Sequence, residues 1–363
     1  MKDKVRFLEQ SRAEQSRAEQ SRAEQSRAEN CDFIKINLML LVVIYHSIAI
    51  WMGGWFDTPA EPNAIFKQLA IWLNSFHIYG FTLVSGYLFY LLKYEKKQYA
   101  DTGLFIKKKV KRILIPYAFV SIVWVIPWQV FYYRTDISDL IKQYVFMQRP
   151  SQLWFLGMLF GVFMIAVLLP SSVCENWVML GVISGGIYIV GLLLHLFIPN
   201  IFQILTSLQY FVFFAIGMIL RKYAGCFVWN IPCILWVVAD IVIFLIKQVV
   251  DVQSGALFRI TGIAVELLLH IIGAIMAFTV LNWIANRINW KENKIIVLLH
   301  KHNFTIYLFH QQVIYAVITL LNGRVSSIVL ALVNFVVSIF ISLFISIVLH
   351  RWKITKFLIG EKV

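Results

Sequence analysis

Charge is scarce in this 363-residue sequence: Asp, Glu, Lys and Arg make up 14% of it, against 60% hydrophobic residues. A soluble chain of this length needs far more polar surface, so a water-soluble globular fold is excluded. Acid is scarcer than base, with 19 Asp and Glu against 33 Lys and Arg and a formal net charge of +14. Such an excess can mark a nucleic-acid binder. Here the basic residues stand beside apolar runs, the pattern of cytoplasmic loops meeting anionic lipid heads, so no nucleic-acid partner is expected. The four cysteines, Cys31, Cys174, Cys226 and Cys233, form no CxxC pair and are read as free thiols. There is no Walker-type or Rossmann glycine pattern, which removes ATP and dinucleotide readings. HExxH, paired-carboxylate spacing and any credible metal set are also missing, so no metal and no permanently bound cofactor are expected. Residues 1–30 are polar throughout, which leaves the first apolar span as its own insertion signal.

Ten apolar spans fill the chain, at approximately 37–56, 66–92, 113–133, 153–170, 177–198, 202–220, 227–248, 260–284, 302–321 and 326–349. Because lipid offers no hydrogen-bond partners to irregular backbone, they predict an all-α fold, a polytopic membrane helix bundle of about ten helices. The loops alternate in charge: 93–112, 221–226, 285–301 and the C-terminus hold most of the lysine and arginine, whereas 53–65 carries Asp57 and Glu61. The 171–176 turn, with Glu175 and no Lys or Arg, alone lends no support to this alternation. By the positive-inside rule both termini are cytoplasmic in a multi-pass protein, and membrane lipids are partners throughout. The domain division is a cytoplasmic tail at 1–30, a membrane domain at 31–350 and a basic C-terminus at 351–363. Within the tail, residues 9–29 repeat EQSRA four times and begin a fifth copy. Each Glu precedes an Arg by three positions, but a period of five builds no apolar stripe, so the segment reads as a solvated helical or frayed tail.

The stretch 31–51, CDFIKINLMLLVVIYHSIAIW, places Asp32 and Lys35 at the head of a span and His46 eleven residues after Lys35. That is roughly 16 Å deeper along a helix, near the middle of a hydrocarbon core about 30 Å thick. Ionisable groups at such depth point to function, although a histidine bonded to a neighbouring helix accounts for His46 equally well. In FHIYGFTLVSGYLF, residues 76–89, His77 reaches a similar depth on an antiparallel span, so the two imidazoles could form a proton-handling pair. Ser85 and Gly86, nearer the cytoplasm, fit close helix packing better than nucleophilic chemistry. The run KKKVKRILIP, 107–116, contains Lys108, Lys111 and Arg112 and reads as a lipid anchor or, more sharply, as a clamp for a cytosolic ligand with several phosphates such as coenzyme A. Trp154, Tyr307 and His310 lie in QLWFLGMLFG and FTIYLFHQQVIY; the first two suit interface anchors, and His310 could line the same cavity as His46 or cap a helix contact. Asp240, Glu266 and His270 are intramembrane polar groups without an assigned site.

The order and spacing of these pieces resemble the acyltransferase 3 family of bacterial integral membrane acyltransferases. The matching segments are Asp32-x-x-Lys35 with His46, the segment around His77 and Ser85–Tyr87, the basic run into Pro116, LWFL at 153–156 and IYLFH at 306–310. They span most of residues 31–315. The resemblance implies transfer of an acyl group, usually acetyl from acetyl-CoA as co-substrate, to hydroxyls of a surface glycan or lipid-linked glycan. The implied setting is the bacterial inner membrane, with capsule, exopolysaccharide or O-antigen units as acceptors. It makes His46 the essential histidine, acting as base or as transient acyl carrier, with His77 and Tyr307 positioning the acceptor or an oxyanion. Asp32, Lys35, Ser85 and His310 would support the site, and Lys108, Lys111, Arg112 and Trp154 would contact the acyl-CoA. Lys35 stands where the family usually has arginine, keeping the charge but losing the bidentate fork. Rival expectations are a transporter or flippase for a lipid-linked sugar, although no internal repeat is evident, and a sensor or assembly subunit docking through the repeated tail. The sequence leaves the oligomeric state open, a homo-oligomer included.

Overall fold

The computed structural model describes residues 26–53, 57–99, 101–223 and 227–361. Ten of its helices are long and apolar enough to cross a membrane: α1 (Ser26–Met52), α2 (Ala64–Glu95), α3 (Thr102–Tyr133), α4 (Ser151–Leu168), α5 (Trp177–His195), α6 (Ile201–Lys222), α7 (Cys233–Val252), α8 (Ala256–Ala285), α9 (Lys294–Leu321) and α10 (Ser327–Leu349). A short helix, α11 (Lys353–Leu358), follows. No β-strand occurs among the described residues. The protein is a multi-pass all-α membrane bundle. The lysine-rich connections gather at one end, called the basic end below.

Helix ends differ from the apolar runs for local reasons. Asn293 caps α9 by accepting from the Ile295 and Ile296 N–H groups, so the helix starts eight residues before the run at 302. Asp101 accepts from the Leu104 N–H and starts α3 at Thr102, which puts Lys107 to Arg112 on a helix instead of in a loop. Their stems can lie along apolar surface while the charged heads reach water. α1 begins eleven residues before the run at 37 and takes in residues 26–28 of the last full copy of the repeat. Ser26 donates to Asn286, Asn30 to Asn282 and Asn286, and Lys291 meets Glu29 at 2.7 Å. The tail boundary expected at residue 30 thus falls inside α1; the rest of the tail, 1–25, and Cys226 lie outside the described residues.

α1, α2, α6 and α9 form the buried centre, and α5 and α7 are the most peripheral. α2 meets α6 through two glycines: a Cβ on Gly86 would fall 1.9 Å from the Phe214 carbonyl oxygen, and one on Gly217 1.9 Å from that of Leu83. Only hydrogen fits at both places, so the two backbones touch. α3 carries wide-turn π stretches at Val110–Leu114 and Ser121–Val125, just ahead of Pro116 and Pro127. Proline has no N–H to give its preceding turn, and the ladder shifts register there. α2 breaks at Ser75–Phe76 without proline or glycine. The carbonyls there also take side chains: Ser75 Oγ donates to Trp72 O (2.7 Å) and His77 Nδ1 to Leu73 O (2.5 Å), beside the tightened backbone bonds from Ser75 and Phe76 N–H, and His270 Nδ1 donates to Ser75 O (2.7 Å). Inserted side chains are a recognised cause of such breaks.

Candidate active site

α1 and α9 both start at the basic end and run side by side. His46 lies eleven residues beyond Lys35 and His310 nine beyond Lys301, so the two rings meet at one depth. His46 Nδ1 and His310 Nε2 are 2.8 Å apart; His310 is fully buried and His46 half-buried. His310 Nδ1 faces the carbonyl oxygens of Tyr307 (2.8 Å) and Ile306 (3.2 Å). A carbonyl only accepts, so His310 carries its proton on Nδ1 and, in the neutral pair, offers the Nε2 lone pair to a proton on His46 Nδ1. His46 then presents the lone pair of Nε2. That is the tautomer a general base or an acyl-accepting nucleophile requires.

The turn of α9 that carries His310 is held from outside. Gln152 Nε2 donates to Leu308 O (3.0 Å), Trp124 Nε1 donates to Phe309 O (3.2 Å), and the Tyr307 hydroxyl donates to Gln152 O. Gln152 and Gln312 also exchange amide hydrogen bonds at 2.7 and 3.0 Å. Four successive carbonyls, 306 to 309, therefore accept side-chain donors, which fixes the orientation of the His310 ring. His77 does not join this pair: the Tyr45 ring stands between, 4.9 Å from the centroids of both His46 and His77.

A cavity of about 380 Å³ opens at the basic end and is lined along α2 by Leu92, Phe89, Leu88, Ser85, Phe81 and Ile78. The fourteen steps from Ile78 to Leu92 cover about 21 Å of helix. Its mouth holds Lys35, Lys109, Arg112, His300 and Lys301, and its deep end holds Ile78 and Tyr307, the neighbours of His77 and His310. Burial raises the Tyr99 phenol above its ordinary range at this mouth, so it stays a neutral donor there. Lys35 Nζ lies 2.7 Å from Asp32 Oδ1, with His300 Nε2 3.5 Å from the other oxygen. Ser85 lines the wall and bonds Phe81 O (2.9 Å), while its neighbour Gly86 makes the helix contact.

Within the basic run, Lys109 and Arg112 line the cavity; Lys108 and Lys111 do not, and Lys111 Nζ lies 5.9 Å from the Phe357 ring of α11. Lys109 Nζ sits 3.5 Å over the Phe163 ring. Trp154 stands at the other end of the bundle, in an open cavity with Arg149, Gln203 and Tyr210, apart from Lys108, Lys111 and Arg112. Sequence reasoning missed Lys109, His300, Lys301 and Gln152. The i, i+3 spacing of Lys109 and Arg112 was the available signal for the first; Gln152 left none. Among the described residues no group of three or more His, Cys, Asp or Glu side chains is arranged to hold a metal ion.

A deep, basic-mouthed cavity that ends at Tyr307, whose ring centroid lies 6.1 Å from that of His310, suits transfer chemistry on a large anionic donor. A family model described as an acyltransferase domain matches residues 29–351. The chain belongs to the acyltransferase 3 family. The match covers all ten spans, so both the histidine pair and the basic mouth lie within the family's domain. No curated protein and no solved structure matches the chain. As a member of this family the protein is a membrane acyltransferase.

Proposed function

We propose that the protein is an O-acetyltransferase of a bacterial inner membrane that moves an acetyl group from cytosolic acetyl-CoA to a sugar hydroxyl of a surface polysaccharide. The observation that carries this reading is one cavity that leads from the charged mouth to Tyr307, one turn of helix before the His310 that pairs with His46. The phosphates of coenzyme A dock on Lys109, Arg112, Lys35 and Lys301, where guanidinium and ammonium groups from three helices face one opening. The acyl-bearing arm extends between α2 and α4 past Ser85, Phe81 and Phe155 towards Tyr307.

His46 Nε2 takes the proton of the acceptor hydroxyl as its oxygen attacks the thioester carbonyl. The tetrahedral intermediate collapses to the ester, the C–S bond breaks, and the departing thiolate takes the proton back from His46. No net proton is gained or lost. A two-step route, in which His46 first carries the acetyl group and the hydroxyl then removes it, balances in the same way. In either route His310 holds the reactive tautomer and shares the charge that develops on His46. Tyr307 flanks the reacting carbonyl, while His77 stays behind the Tyr45 ring.

The test is proton NMR of surface polysaccharide from cells with the intact gene, a deletion and His46→Ala. Loss of the O-acetyl signal in both altered strains is expected. Unchanged acetyl content with less polysaccharide at the surface would replace this reading with a transporter.

A further inference from the structure

A second cavity, of about 140 Å³, lies between α2, α5, α6 and α8, lined by Tyr79, Tyr188, Gln209, Tyr210, Glu266 and His270. The histidine pair does not use it. Glu266 lies ten residues, about 15 Å of helix, inside the end of α8 remote from the basic end. α8 is about 45 Å long; with equal overhang on both sides of a 30 Å core, Glu266 is still within the hydrocarbon. Yet its side chain is 52% exposed, with Lys247 Nζ and His270 Nε2 each 3.6 Å away. A carboxylate at that depth with half its surface open needs something polar in front of it. An ion pair serving only to join α7 and α8 would close over both partners.

The wall opposite the carboxylate is aromatic. Tyr79 is stacked between Tyr210 (centroids 4.8 Å, planes 6° apart) and His270 (3.9 Å, 16°). Tyr210 also walls the open cavity that holds Trp154, Arg149 and Gln203, so the two hollows share one side chain. Aromatic rings beside a carboxylate and an amide match a hydroxyl-bearing ring: its C–H face lies on Tyr188 and Tyr210, with Tyr79 stacked behind, while its hydroxyls donate to Glu266 and pair with Gln209.

We propose that this cavity is a sugar subsite for the acceptor, with Glu266 as its hydroxyl-binding group and the Trp154–Tyr210 hollow taking the next unit of the glycan. The assignment rests on acyl transfer to a sugar, and its test separates the two claims. In native membranes containing the full-length protein, dicyclohexylcarbodiimide labels Glu266, read by peptide mass spectrometry. Submicellar n-octyl-β-D-glucopyranoside should reduce that labelling severalfold, and lysophosphatidylethanolamine should not. Protection by the phospholipid alone would make the cavity a lipid-headgroup site, and protection by neither would remove the subsite. With the host's de-O-acetylated polysaccharide as acceptor, Glu266→Gln should raise the acceptor KM about tenfold and leave kcat and the acetyl-CoA KM unchanged. A fall in kcat alone would mark Glu266 as structural and overturn the proposal. Glycoside protection in a protein that transfers no acetyl group would keep the sugar site and refute the acetyltransferase reading.

Discussion

The histidine pair of α1 and α9 and the charged cluster of α7 and α8 solve the same problem, polar groups inside a membrane, in opposite ways. His46 and His310 can be satisfied as neutral rings, through one another and through backbone carbonyls that proline-free α9 supplies. Lys247, Asp251 and Glu266 are ionisable side chains paired on one side and open on the other. A neutral pair can be enclosed without a large desolvation cost, whereas charges at depth stay near water or a polar ligand. The enclosed pair depends on every tether. The open cluster has solvent to fall back on.

Removing the centre of the enclosed pair has the largest expected effect. His46→Ala should lower kcat for acetyl transfer by about 10³-fold or more, the scale of losing a general base and its tautomer. The protein should still insert, so membrane content by immunoblot stays level while O-acetyl content is lost. Activity near the parent level would take His46 out of the chemistry. His310→Ala should cost less, about 10²-fold in kcat, because the base remains while its tautomer is no longer held. Gln152→Leu, which frees the Leu308 carbonyl and breaks the amide pair with Gln312, should cost less again. An equal loss in all three would mean that the turn merely unfolds; thermal stability of the purified variants in nanodiscs reads that directly.

Much of this arrangement is written in the sequence. Ten runs of apolar residues fix the number of spans, and the placement of lysine and arginine fixes which ends gather together. The depth of both histidines follows from their distance past Lys35 and Lys301. Depth does not fix rotation, however, and three histidines at similar depth leave open which two face each other. Tyr45, next to His46 on its own helix, decides that by occupying the space before His77. The break at Ser75–Phe76 is likewise unmarked, since side chains from α2 and α8 make it instead of proline or glycine. The turns ahead of Pro116 and Pro127, in contrast, are fixed by residue type alone.

The basic mouth offers a smaller contrast, between neighbours on one helix. Arg112→Ala should raise the acetyl-CoA KM about tenfold with kcat little changed, as expected for a charge-assisted contact made equally before and during the reaction. Lys108→Ala, one turn back on the same helix and outside the cavity lining, should leave both constants within about twofold. If the two variants behave alike, the run acts as a lipid anchor and the cavity mouth is not where phosphates bind.

The smallest effect belongs to the open cluster. Asp251 meets Lys247 at 2.5 Å, but its side chain is 51% exposed and stands one residue from the end of α7. Coulomb attraction there is screened, and holding two flexible side chains in register costs entropy. Pairs of this kind contribute about 0–1 kcal/mol. Lys247 also retains Glu266 at 3.6 Å when Asp251 is neutralised. Asp251→Asn should therefore leave acetyl transfer unchanged and shift the melting temperature in nanodiscs by no more than a few degrees. A loss of activity comparable to that of His310→Ala would mean that the cluster is held as rigidly as the histidine pair. The open face of α7 and α8 would then be part of the transfer machinery, and the distinction between an enclosed neutral centre and a tolerant charged rim would fail.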